Sequence, residues 1–300
     1  MNRKVIQTSV AGIALSTIIA IGCGGGLGES GTNTATPVRE WCGASAPTIE
    51  ERMAIEMTLN ARPRQLAGGN ITIPVYVHII TNDDGSEGYV SDATVAEQIA
   101  VLNTGFSGTQ TPGGFNTSYR FELMAISRSA NTAWYNCTQY SPTEAAMKTA
   151  LRRGSADDLN LYIQNMTGSL GGWASVYWRS SGMHWDGISV RNIVVPGGAA
   201  TGQGLGDVAV HEVGHWLGLD HTFEGGCTKK NDSVSDTPAA LTSNYNCPTV
   251  PPDTCTGSQY RGTDPTMNFM DYTKDICKYQ FTGGQNTRMD SFWNTYRAGK

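Results

Sequence analysis

The stretch HEVGHWLGLDH, residues 211–221, holds three of the five histidines of this 300-residue chain. On an α-helix, residues four apart share a face, so His211 and His215 can present two imidazoles to one metal ion. Glu212, beside the first, is placed to reach water at the metal without coordinating the metal itself. Gly218 permits a positive-φ turn that other residues resist, and the turn brings His221 round as a third ligand. Three protein ligands leave one coordination position open, the arrangement of catalytic rather than structural zinc. Shuffling this composition yields the full pattern about 10⁻⁵ times per chain. A surface helix with unrelated histidines is therefore a poor account, and a purely structural zinc site would not need Glu212.

Outward from this stretch, periodicity and punctuation organise the chain. A helix is expected over 205–217, ending at Gly218. Upstream, NITIPVYVHII (70–80), YRFELMAI (119–126), LNLYIQN (159–165), GWASVYW (172–178) and GISVRNIVV (187–195) read as strands. Helices are expected over 48–60 and over 91–103, the latter with Val95, Ile99 and Leu102 on one face. SPTEAAMKTALRRG (141–154) is a marked helix, with Ser141 as N-cap, Pro142 at its first position, Glu144 closing a capping box and Gly154 at its end. After Gly218 the chain is rich in Gly, Pro, Thr and Asn until a last helix near 284–297. The pattern is one domain in two parts, α/β to about Gly218 and irregular beyond it.

Composition supports a packed core, with 39% hydrophobic and 16% charged residues, and the 36 glycines imply long loops. The net charge of −5 and the lack of any Lys/Arg run exclude nucleic acid or an anionic membrane surface as the main partner. Arg3 and Lys4 followed by an apolar run over 10–21 and then GCGGGLG read as an export signal, too short to span a bilayer. Residues 1–22 are thus expected to be removed. AIGC around Cys23 resembles a lipoprotein processing site, so a lipid anchor through Cys23 and free secretion both stand. Residues 23–69 read as a tether or pro-segment, with cleavage expected near ARPRQLAGG (61–69) at Arg62 or Arg64. Residues 70–300 form the globular part, divided at 218/219.

Without Cys23 six cysteines remain, Cys42, Cys137, Cys227, Cys247, Cys255 and Cys277, and an even number in an oxidising compartment suggests disulfides. Sequons at Asn70, Asn116, Asn136, Asn165 and Asn231 matter where the host glycosylates. His78 and His184 lie in or beside strands and read as structural.

HExxHxxGxxH is the metzincin signature, whose second element is a methionine turn beneath the zinc. NFMDY (268–272) supplies Met270, and GLDHTFEGGC (218–227), DSVSDTP (232–238) and FTGGQNTRM (281–289) narrow the likeness. Together they resemble the pappalysin (cytophagalysin) family, especially its compact secreted metalloproteases, most strongly over 173–297. The resemblance implies a twisted, mostly parallel sheet with a backing helix and an active-site helix, then an irregular, disulfide-tied C-terminal subdomain. It implies one catalytic zinc on His211, His215 and His221, Glu212 as general base and acid, Met270 as the turn methionine, and Tyr272 near the zinc. It also implies crosswise pairing of Cys227 with Cys255 and Cys247 with Cys277. Asp232, Asp236 and Thr237 match a calcium-binding segment of some relatives. EWCGASAP (40–47) resembles a segment whose thiolate caps the zinc in the latent form. A disulfide between Cys42 and Cys137 competes with that cap, and the even count favours the disulfide.

The expected function is a secreted zinc metalloendopeptidase acting as a monomer on peptides laid in extended form along an edge strand, with GWASVYW as the candidate edge. The rival from another class is an exported binding or adhesion protein with a vestigial zinc site, which would show no chelator-sensitive cleavage of casein.

Overall fold

Eleven residues with alternating and then continuous apolar character form β1, Ile71–Thr81, and its burial deepens along its length. The computed structural model describes residues 41–300 apart from 45, 62–69, 112, 167, 177, 179–181 and 261. The expected export signal, Cys23 and the cleavage region expected at Arg62 or Arg64 lie outside the described residues.

β1 pairs in parallel with β2, Tyr119–Ala130, on one side and with β3, Leu159–Gln164, on the other. β5, Gly187–Arg191, extends the parallel sheet, and β4, Gly172–Ser175, closes it antiparallel, giving the order β2-β1-β3-β5-β4. Every residue of β3 is buried, as expected of a parallel strand covered on both faces. On one face lie α2, Asp92–Ser107, and α5, Asp207–Trp216, whose apolar sides join the sheet in the main core. Gly105 permits that packing, because a Cβ there would stand 3.1 Å from Val210 Cγ1 and 3.2 Å from Phe269. A second cluster, with Tyr135, Met147, Tyr162 and Trp173, involves α3, Thr132–Tyr135, and α4, Pro142–Leu151.

Expected elements form with shifted ends. The helix and strand read over 91–103 and 119–126 run on to Ser107 and Ala130. β4 and β5 stop at Ser175 and Arg191, well before Trp178 and Val195. Trp178 leaves the sheet to stack on Tyr296 at 4.9 Å and lies 4.7 Å from the Arg297 guanidinium. Ser141 caps α4 as expected, accepting the Glu144 amide, but the Glu144 side chain does not close a capping box. Its carboxylate accepts Trp173 Nε1 at 2.7 Å, pairs with Lys148 at 2.8 Å and accepts the Tyr140 amide. A buried carboxylate is held where cation and donors neutralise it, and that requirement outweighs a local cap.

Beyond Leu219 regular structure is sparse until α6, Gly283–Phe292, and a π-helical turn, Trp293–Arg297. The segment between is tied by disulfides Cys227–Cys255 and Cys247–Cys277, with Cα atoms 5.3 and 5.6 Å apart. Each closes a loop of about 30 residues, worth about 3–4 kcal/mol in the chain-entropy account. The disulfide expected between Cys42 and Cys137 does not form, and both thiols are free and buried. Cys137 packs in the second cluster with its sulfur 3.5 Å from Gln164 Oε1, whereas Cys42 is held by backbone pairing at β4 and faces the histidines. N-terminal to β1, α1, Ile49–Asn60, begins at a Thr48/Glu51 capping box. No helix among the described residues is long and apolar enough to cross a membrane.

Candidate metal centre

α5 carries His211 and His215 one turn apart, and it stops where Gly218 takes φ +94°. The turn returns His221 to the first two histidines, and the Nε2 atom of His215 lies 3.1 Å from that of His211 and 3.1 Å from that of His221. Each ring is oriented from behind through Nδ1. His211 Nδ1 faces the Phe269 carbonyl at 2.6 Å, His215 Nδ1 the Leu219 carbonyl at 2.8 Å, and His221 Nδ1 the Glu224 carboxylate at 3.2 Å. These acceptors require the proton on Nδ1, so all three Nε2 lone pairs point inward. Three lone pairs so close repel one another unless a cation lies between them. Zn–N bonds of about 2.0–2.1 Å in a tetrahedron place nitrogens about 3.3 Å apart, so the donor set fits zinc. Burial also favours neutral imidazoles, holding His221 down to about 3.

The floor of the site is Met270. It is fully buried beneath α5, and a Cβ on Gly214 would stand 2.4 Å from its sulfur. Met270 and the Phe269 carbonyl belong to a turn braced by Asn268, whose amide exchanges hydrogen bonds with Gln285 on α6 at 2.8 and 3.0 Å. Glu212 is fully buried against the edge of β4, with its Cγ 3.0 Å from where a Gly172 Cβ would be. Desolvation pushes its carboxyl up to about 8, opposed by the Cys42 thiol and by Lys278. The Tyr272 ring lies 4.9 Å from that of His221, and its hydroxyl 3.5 Å from the Cys42 carbonyl. The Cys42 sulfur joins the three histidines, with the ligand atoms of all four residues within 4.8 Å of one another.

The chain from Trp41 to Asn60 lies across this centre. Gly43 donates to the Gly172 carbonyl at 2.9 Å and Gly171 to the Trp41 carbonyl at 2.7 Å, adding a bridge to the edge of β4. On α1, Arg52 pairs with Asp220 at 3.4 Å and Glu56 with Arg288 at 2.6 Å. A cleft between α1 and the end of α5, lined by Ile55, Leu219 and Phe292, retains only about 40 Å³.

The candidate calcium residues face different partners. Asp236 turns both carboxylate oxygens to the start of α6, accepting Thr282 Oγ1 at 2.7 Å and the Gly284 amide at 2.8 Å. Asp232 is buried and accepts the Val234 amide at 3.1 Å, and the buried Thr237 hydroxyl lies beside its carboxylate. His78 is structural, its ring nitrogens 2.7 Å from Ser127 Oγ and 2.9 Å from Asn160 Oδ1, and His184 sits in a single turn against Trp185. Sequence reading missed Glu224, for which the His-x-x-Glu spacing after the turn was the available signal. It also missed Lys278 and Asp275, a buried pair 3.5 Å apart near α5.

A parallel sheet with an antiparallel edge, an active-site helix and three converging imidazoles over a methionine turn define a metalloprotease. A family model described as pregnancy-associated plasma protein-A matches residues 154–294. An extracellular metalloprotease of Verticillium alfalfae is 40% identical over 86% of this chain and 90% of its own length. Another from Pyricularia oryzae is 37% identical over the whole of both chains. Among solved structures, a promirolysin variant of Tannerella forsythia is similar with a TM-score of 0.68 and 28% identity, covering 82% of this chain and 88% of that one. Mature mirolysin in complex with a cleaved peptide gives 0.64 at 27% identity, covering 75% and 92%. The chain belongs to the pappalysin family of metzincin metalloproteases.

Proposed function

We propose that this protein is a secreted zinc metalloendopeptidase made as a latent precursor. The observation that carries the reading is the convergence of three Nδ1-anchored imidazoles beside the fully buried carboxylate of Glu212. His211, His215 and His221 would hold the zinc, with Met270 beneath them. When bound, zinc polarises the scissile carbonyl and makes water a better nucleophile near neutral pH. Glu212 takes the proton of that water and returns it to the leaving amine. Tyr272 can turn its hydroxyl, now facing the Cys42 carbonyl, toward the oxyanion. The substrate lies extended along β4, whose edge amides are engaged by residues 41–43 in the latent chain. Residues 23–69 serve as the pro-segment, Cys42 caps the metal, and Arg62 or Arg64 offers the cleavage point. Full-length similarity to extracellular relatives supports secretion.

Glu212→Ala tests this reading. The variant should fold and keep one zinc while cleavage of casein falls about 10³-fold or more, and full retained activity would end the proposal. We also propose calcium at Asp232 and Thr237, with Asp236 kept as a helix cap. Calcium chelation should lower the Tm by several degrees with zinc content intact, and an unchanged Tm removes that site.

A further inference from the structure

The fold sorts the five Asn-x-Ser/Thr sequons into two groups. Asn231 is 8% exposed, and its Nδ2 donates to the Thr237 carbonyl at 2.7 Å. Its backbone is engaged as well, the amide donating to Thr228 Oγ1 at 3.1 Å and the carbonyl accepting from Arg52 of α1 at 3.3 Å. Asn136 and Asn165 are half-buried and bonded to each other, with Asn165 Nδ2 donating to Asn136 Oδ1 at 2.8 Å. Asn136 Nδ2 turns back to the Thr132 carbonyl at 3.2 Å, and Arg191 donates to Asn165 Oδ1 at 3.4 Å. In all three the amide nitrogen, the atom that carries the sugar in an N-glycan, is committed to the protein itself.

Asn70 and Asn116 differ on each count. Both are exposed, and among the described residues neither Nδ2 is hydrogen-bonded. The Asn116 carbonyl oxygen accepts from the Arg120 guanidinium, a contact that fixes the side chain while leaving its nitrogen available. The two stand at one place on the sheet. Asn70 immediately precedes β1 and Asn116 lies just before β2, and the parallel register sets Ile71 beside Tyr119. The Ile71 amide donates to the Ser118 carbonyl at 2.7 Å. β2 is the edge of the sheet opposite β4. Asn103 on α2 covers one step of its outer edge, bonding both the amide and the carbonyl of Phe121 at 2.9 Å. No strand among the described residues covers the rest, and an open edge invites pairing with another chain.

Going beyond the peptidase reading and resting only on export of the chain, we infer that Asn70 and Asn116 carry N-linked glycans and that Asn136, Asn165 and Asn231 stay unmodified. In a glycosylating secretory pathway the donor is a lipid-linked oligosaccharide diphosphate. The Asn Nδ2 bonds the anomeric carbon of the sugar as its C–O bond to the diphosphate breaks; the lipid diphosphate leaves and the amide gives up one proton. At Asn70 and Asn116 the bulky sugar extends into solvent. At the other three it would displace packed groups and bury hydroxyls without partners, so a chain modified there does not reach this fold. The two glycans screen the start of the open β2 edge, and β4 lies at the far end of the strand order, so cleavage is untouched by them.

Expression of the full chain, its own leader included, in a glycosylating eukaryotic host tests the inference. Protein from the medium is treated with peptide-N-glycosidase in heavy-oxygen water and mapped by mass spectrometry. The label is expected at Asn70 and Asn116 and at no other sequon. Asn70→Gln together with Asn116→Gln should remove all glycan mass and leave casein cleavage unchanged. The same double variant should aggregate earlier in a heating scan followed by light scattering. Label at Asn136, Asn165 or Asn231 in the folded protein overturns the sorting, as does secreted protein unlabelled at Asn70 or Asn116. An unchanged aggregation onset overturns the screening of the edge, and a drop in cleavage overturns the placement of the glycans away from the active site. All of these results leave the peptidase reading standing. A chain that stays in the cell without label at any sequon defeats the export reading, and this inference with it.

Discussion

A metal ligand needs the right residue, the right ring nitrogen and a fixed ring orientation, and here these come from different parts of the chain. The candidate ligands His211, His215 and His221 supply the residues, while Phe269, Leu219 and Glu224 supply the acceptors that fix Nδ1 as the protonated nitrogen. Two of those acceptors are carbonyls that any residue could provide, so the sequence could not announce them. Glu224 is the exception, because its side chain does the work and can be removed. Glu224→Ala should weaken zinc binding about 10–100-fold in a competitive chelator titration while leaving the unfolding transition of the zinc-free chain nearly unchanged. Glu224→Gln, which keeps an acceptor oxygen, should recover much of the loss.

Among the elements, α5 was legible because its function sets its pattern: paired histidines at helical spacing and a glycine stop. α4 was legible at its start, yet the carboxylate of Glu144 left the cap for Lys148, its i,i+4 neighbour, and for Trp173, a partner 29 residues away that no local pattern contains. α1 was legible as a helix, capping box included, but its docking was not. None of its residues is buried, and it is held at the cleft by the Arg52–Asp220 and Glu56–Arg288 pairs. Partly exposed pairs contribute about 0.5–1 kcal/mol each. Replacing both Arg52 and Glu56 by Ala should therefore raise the basal caseinolytic activity of the unprocessed chain about five- to thirty-fold. Activity measured before any N-terminal trimming checks this, and unchanged latency would assign the block to Cys42 and Trp41 alone.

At the scale of the whole molecule, the α/β part and the loop-rich part meet at buried charges as well as at the metal. Asp207, in the first turn of α5, is held up to about 7 by burial and then by the Asp275 carboxylate, against Lys278 and Gln110, which pull it down. Its folded value stands above the unfolded 3.8, so the folded chain binds this proton more tightly. The stability it contributes is present below about pH 4 and is lost as pH rises through about 7. Asp207→Asn should thus gain Tm relative to the parent between pH 4 and pH 7, with the gap level above pH 8. A pH-independent gap would mean that Asp207 is ionised throughout.

Residue spacing was enough to foresee the three converging histidines, the carboxylate beside them and the strand–helix succession, because a metal site and an amphipathic element impose short-range periods that a chain must write out locally. Which cysteines pair and which stay free, how the Trp173 indole reaches Glu144, and what covers the β4 edge all depend on groups tens to more than a hundred residues apart. Cys42 shows the difference most plainly: counting thiols favoured a bond to Cys137, but backbone pairing with Gly172 carries its sulfur to the histidines instead. Such contacts leave no period in the sequence, since the forces that choose them act only after the sheet has brought distant segments within a few ångströms.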